Sequence, residues 1–173
     1  MTKAILISTL KENYGNFTSF ISTLTEAQFT AADAEKWSAG QQLEHLVRSV
    51  QPLAQALMLP KFVPSLLFGK ANRPSRSFDE QVAHYQGKLA KGGKASGKYV
   101  PQAVVLAQRE ALVAQLDAHI AKLCRLLASF TEKDLDTLLL PHPLLGKLTL
   151  REMMYFTIYH VKHHHDGIKK ATS

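Results

Sequence analysis

A single cysteine, Cys124, removes any intramolecular disulfide framework from the options open to this 173-residue chain. Its place beside Leu123 in a helical stretch marks it as a buried, inert thiol rather than a nucleophile. Long apolar runs are missing too. The apolar run within the N-terminal MTKAILISTLKEN is shorter than a signal-peptide core, and Lys11 and Glu12 follow it directly. The stretch from Leu57 to Phe68 is broken by Pro60, Lys61 and Pro64, so it cannot span a bilayer. These absences make a soluble cytoplasmic protein the expectation, with no membrane partner. Acidic residues are the minority charge, 14 against 21 Lys and Arg, for a net charge of +7. Much of the lysine excess falls between Lys88 and Lys98 and at Lys169 and Lys170, which reads as solvated loop and tail. No helix combines clustered Arg and Lys with interleaved aromatics, so nucleic acid is not an expected partner.

The length suits one domain with a full core, taken as residues 1–173. Its periodicity is helical. Leu10, Tyr14, Phe17, Ile21 and Leu24 step by four and three, one buried stripe of a first helix. A second helix starts at Ser38, whose Ser-Ala-Gly-Gln is a capping box with Gln41 reaching back to the cap. Leu43, Leu46, Val47, Val50 and Leu57 line its face, and Pro60 ends it. From Pro60 to Pro101 the pattern dissolves into a long crossover holding a short amphipathic piece around Phe78 to Leu89 and then KGGKASGK. A third helix is expected from Pro101, with the stripe Val105, Leu112, Leu116, Ile120, Leu123 and Leu127. Pro141, Pro143 and Gly146 mark a turn, and a fourth helix is expected from near Thr149, with Glu152 in the capping-box position, to Gly167. No strand is expected. The fold class is therefore all-α, a four-helix bundle.

Three histidines stand out. His160 and His164 are spaced i and i+4, one turn apart on one helical face with Met153, Phe156 and Thr157. Buried without a ligand, each would need a hydrogen-bond partner, and the two would repel if protonated. His45, early in the second helix, can complete a three-histidine metal site with open coordination positions, the arrangement of catalytic rather than structural zinc. His45 and the pair meet only if helices two and four run antiparallel. The long crossover supplies the needed reversal, giving up-down-down-up topology.

The other histidines read as bystanders. His163 and His165 point elsewhere and are surface or supporting residues; His84, His119 and His142 are isolated, solvated or bonded to backbone. Arg109 falls on the inward stripe of helix three, where a guanidinium pairs with a buried acid or holds an anionic substrate. Two motifs fail. GGKASGKY departs from a phosphate-binding loop because Tyr99 replaces the magnesium-binding hydroxyl and no strand precedes it. HVKHH lacks the glutamate of HExxH, since position 161 is valine.

The stretches WSAGQQLEHL at 37–46 and HPLLGKLTLREMMYFTIYHVKHH at 142–164 resemble the DinB/YfiT-like superfamily, in its DinB_2 branch. The shared features are the spacing from Trp37 to the helix-two histidine, the HP-x-x-G turn and the terminal H-x-x-x-H. The resemblance implies an up-down-down-up bundle, often a homodimer, with a divalent metal (zinc or nickel) on three histidines, which by motif match are His45, His160 and His164. It also implies thiol-dependent chemistry, because characterised relatives are bacillithiol S-transferases, mycothiol-dependent isomerases and related S-transferases. It does not imply DNA binding. Relatives often carry Glu one turn before the helix-two histidine, where this chain has Gln41, a candidate supporting residue that cannot act as a general base.

The expected function is transfer of a low-molecular-weight thiol to an electrophilic small-molecule substrate, with the metal lowering the thiol pKa and Arg109 and the Lys-rich crossover holding its carboxylates. The alternatives are metal-dependent hydrolysis or isomerisation with activated water, and a non-catalytic sensor or interaction bundle.

Overall fold

The computed structural model describes residues 1–32 and 36–172. Four long helices form the bundle: α1 (Lys3–Thr23), α3 (Ala39–Ala56), α6 (Arg109–Ala128) and α8 (Leu150–Thr172). Between them lie four short helices, α2 (Glu26–Thr30), α4 (Phe62–Phe68), α5 (Phe78–Ala90) and α7 (Glu132–Thr137), and a hairpin of β1 (Leu139–His142) and β2 (Gly146–Thr149). The stripe Leu10, Tyr14, Phe17 and Ile21 is buried as its spacing requires, against Leu43, Leu46, Leu116, Leu123 and Val161 in one core. Ser38 caps α3 through the Ser38–Gln41 capping box. Two residues on, Gly40 leaves room for the Phe29 ring of α2, where a Cβ would meet the ring at 2.8 Å.

Contacts at the helix ends give the directions. Lys3 donates to the carbonyls of Ala128 and Phe130 at one end, and Arg109 to that of Leu24 at the other, so α1 and α6 are antiparallel. Met1 reaches Tyr155, and Gln28 reaches Thr172, so α1 and α8 are parallel. With α3 antiparallel to α8, the order is up-down-down-up.

The crossover between α3 and α6 is fastened at both ends. Glu152, fully buried at the start of α8, accepts from Arg73 at 2.5 and 2.9 Å, from the Arg76 backbone at 2.8 Å and side chain at 3.2 Å, and from the Thr149 N–H at 3.0 Å. Burial pushes its carboxyl up, but these donors outweigh burial and hold it below the usual range. At the other end, Glu44 of α3 accepts the Gln102 N–H at 2.6 Å, and Arg48 donates to the Lys98 carbonyl at 3.1 Å.

Three boundaries differ from the sequence reading. The third helix begins at Arg109, not Pro101, because residues 101–105 run extended along α3 before a single 3-10 turn at Leu106–Gln108. Val104 is buried there, and Val105, expected on the core stripe, is 59% exposed. The fourth helix continues past Gly167 to Thr172, because buried Ile168 extends its apolar face by another turn. The turn at 141–146 belongs to a short antiparallel hairpin, with Leu140 opposite Leu148 and Pro141 opposite Lys147. A two-stranded ribbon has only edge strands, so proline sits there without breaking a ladder.

Inside the hairpin, His142 Nδ1 accepts the N–H groups of Leu144 and Leu145, both at 3.1 Å. Burial, helped by the nearby His84, pushes this ring down to about 4. In an unfolded chain it protonates near 6.5, so its contribution to stability is intact above that pH and is lost as pH falls toward 4.

Two outcomes follow from these contacts. Arg73→Met leaves the buried Glu152 short of its main partner and is expected to lower the unfolding free energy by roughly 3 kcal/mol in urea titrations. Between pH 7 and pH 4 the native chain is expected to lose roughly 2 kcal/mol more than a His142→Asn variant, whose amide oxygen still accepts but does not titrate there. Parallel pH profiles for the two would contradict this account of His142.

Candidate metal centre

The antiparallel approach of α3 and α8 brings His45, His160 and His164 together, with all three rings buried. One nitrogen from each lies within 4.8 Å of the others. The His45 and His164 Nε2 atoms each stand 3.1 Å from His160 Nε2. Three imidazoles bound to one ion at about 2.0–2.1 Å would hold their nitrogens roughly 3.3 Å apart, so the spacing fits a shared cation.

The outer nitrogens decide the protonation state. His45 Nδ1 is 2.7 Å from the Tyr99 carbonyl, which can only accept, so Nδ1 carries the proton. His164 Nδ1 is 2.9 Å from Gln42 Oε1. Gln42 Nε2 donates to the Trp37 carbonyl at 3.0 Å, which turns its oxygen toward the ring and protonates His164 Nδ1 as well. Two unprotonated Nε2 lone pairs therefore face His160 Nε2, which has at most one proton to offer. Burial, then repulsion among the rings, pushes His160 well below its ordinary value; burial does the same to His164 and, less strongly, lowers His45. Protonation is thus a poor remedy for the crowded lone pairs, and a metal ion is a good one.

Aromatic rings shield the cluster from water. Phe156 stacks on His160 at 4.8 Å, Trp37 lies 4.9 Å from His45, and Tyr85 of α5 approaches His160 edge-on at 6.1 Å. The crossover thus supplies two parts of the site, the Tyr99 carbonyl and the Tyr85 ring.

The remaining sequence candidates lie outside the cluster. His163 is exposed beside Tyr85 and Tyr159. His165 packs between Phe17 and Phe20. Gln41 is taken up by the helix cap, its Oε1 accepting the Ser38 N–H at 3.0 Å. Arg109 holds the last carbonyl outside α1, Leu24, and lies 6.0 Å over the Phe29 ring. Sequence reasoning passed over Gln42 and Tyr99. Gln42 had a detectable signal, being i−3 from His45 and so on its face of α3, whereas Tyr99 had none, because its contact is long-range and made by backbone.

No curated protein matches this sequence. Among solved structures, YfiT from Bacillus subtilis, described as a probable metal-dependent hydrolase with an unusual four-helix bundle topology, aligns with a TM-score of 0.63 at 19% identity, over 97% of this chain and 84% of that one. At that identity the likeness establishes the fold. The family model of the DinB superfamily matches residues 9–168, nearly the whole bundle and all three clustered histidines, and the chain belongs to the DinB superfamily.

Proposed function

We propose that the protein is a divalent-metal-dependent enzyme that activates a low-molecular-weight thiol, with His45, His160 and His164 as ligands and zinc or nickel as the metal. The observation that carries this reading is the convergence of three buried imidazoles, with the Nε2 atoms of His45 and His164 each 3.1 Å from that of His160. A bound divalent ion would supply Lewis acidity and lower the pKa of a coordinated nucleophile.

The chain's own groups do the rest. The Tyr99 carbonyl and Gln42 hold two imidazoles in the ligating tautomer, and Trp37, Tyr85 and Phe156 limit the access of water. A groove of about 400 Å³ runs between α3 and α6 along Glu44, Arg48, Gln51, Leu112 and Gln115, and Lys98 of the crossover borders it. With Arg48 paired to Glu44, Lys98 is the cation of this groove that adjoins the segment holding His45, and the acidic part of a thiol cosubstrate would sit beside it. Arg109 donates to the Leu24 carbonyl and does not line this groove. Hydrolysis at the same centre is the second reading, favoured by the fold shared with YfiT, a probable metal-dependent hydrolase.

Tag-free protein is expected to carry about one equivalent of divalent metal by elemental analysis, and His45→Ala less than about a tenth of that. Equal metal content in the two would refute the site. Adding a thiol to cobalt-loaded protein is expected to produce a sulfur-to-metal charge-transfer absorption that three histidine ligands alone do not give. An unchanged spectrum, together with turnover of an activated ester in the absence of thiol, would shift the assignment to hydrolysis.

A further inference from the structure

Besides the histidines themselves, Gln42 links the two halves of the centre. Its oxygen meets His164 of α8 at 2.9 Å, and its nitrogen meets the carbonyl of Trp37, whose ring covers His45 of α3. Both bonds are needed. Without the Trp37 carbonyl the amide could turn over and present N–H to the ring, placing the imidazole proton on the ligating nitrogen. With it, one rotamer of Gln42 fixes the tautomer of His164 and ties down the backbone of Trp37.

The chemical character of Gln42 matters as much as its place. Histidine ligands commonly give their outer N–H to a carboxylate or a carbonyl, and a carboxylate there raises the electron density at the ligand and offsets charge on the ion. Here both outer partners that the structure identifies are uncharged, the Gln42 amide and the Tyr99 carbonyl. The nearest acid along α3, Glu44, is engaged by Arg48 at 2.6 Å and by the Gln102 N–H at 2.6 Å. Three neutral imidazoles with uncharged outer partners leave a dication's charge compensated by no directly bonded acid, within a buried, ring-lined space where such charge is weakly screened.

We propose that Gln42 is the positioning residue of this centre, and that by being an amide it makes the centre select an anionic ligand, of the thiolate or carboxylate class, over a neutral one. The proposal rests on the metal reading above. It assigns to Gln42 two separable effects: orientation, which any acceptor would supply, and neutrality, which only an uncharged acceptor supplies.

Two substitutions separate them, each read by cobalt affinity in a chelator competition and by azide affinity of the cobalt-loaded protein from its visible spectrum. Gln42→Ala removes the acceptor and is expected to weaken cobalt binding by about 10- to 100-fold. Gln42→Glu restores an acceptor and is expected to bind cobalt within a few-fold of the native chain, or more tightly. Its added negative charge is expected to weaken azide binding by about tenfold or more. If Gln42→Ala does not fold, Gln42→Met, which keeps the volume and loses the acceptor, carries the same test. Native cobalt affinity in the Ala or Met variant overturns the positioning role, and native azide affinity in the Glu variant overturns the charge selection. A native chain that takes up no cobalt at all overturns the metal reading and this inference with it, an outcome distinct from either of the others.

Discussion

The ion-paired carboxylate of Glu152 is the contact from which the arrangement of the bundle follows. It lies at the first turn of α8 and draws Arg73 and Arg76 onto that turn, so the chain leaving α3 is carried back across the bundle before α6 begins. Without that return, consecutive helices would alternate in direction and α3 and α8 would run parallel. His45 would then be displaced along the bundle axis from its present height beside His160 and His164. A stabilising contact at the first turn of α8 thus supports the helix order in which the histidines of α3 and α8 meet.

The same crossover completes what it makes possible. After fixing the topology through Glu152, it passes α5 over α8, where Tyr85 screens His160, and then lies along α3, where Tyr99 accepts from His45. Glu44 and Arg48 flank His45 on α3 and hold this last segment by its backbone. Their ion pair is half exposed and would contribute little by itself; its role lies in the backbone groups it engages.

Much of this is legible in the sequence. The stripes of α1, α3 and α8, the caps at Ser38 and Thr149, and the direction of α8 relative to α3 all follow from local spacing and from the requirement that three histidines converge. What escaped was decided by distant partners. Glu152 read as a capping residue because its arginines are more than seventy positions away in sequence. Residues 101–105 looked helical because nothing local reveals that Glu44 engages the Gln102 N–H. The hairpin was hidden by Pro141 and Pro143, which argue against strands except at edges. Gln41, singled out as the departure from related sequences, serves the helix cap, a task Gln and Glu perform alike, while its neighbour Gln42 faces the histidine.

The Tyr99 carbonyl on His45 has a consequence for how the molecule comes to completion. His45 and His160 are 115 residues apart, and Tyr99 lies between them in sequence. The cluster closes only when the early helix, the late helix and the middle of the crossover have all docked, so it has no counterpart in a partly assembled chain. A cation held there would bind the finished fold and no precursor of it, and by mass action would add stability to that state alone. The centre therefore exists only where three segments distant in sequence have docked together, and an ion held there reports on that docking.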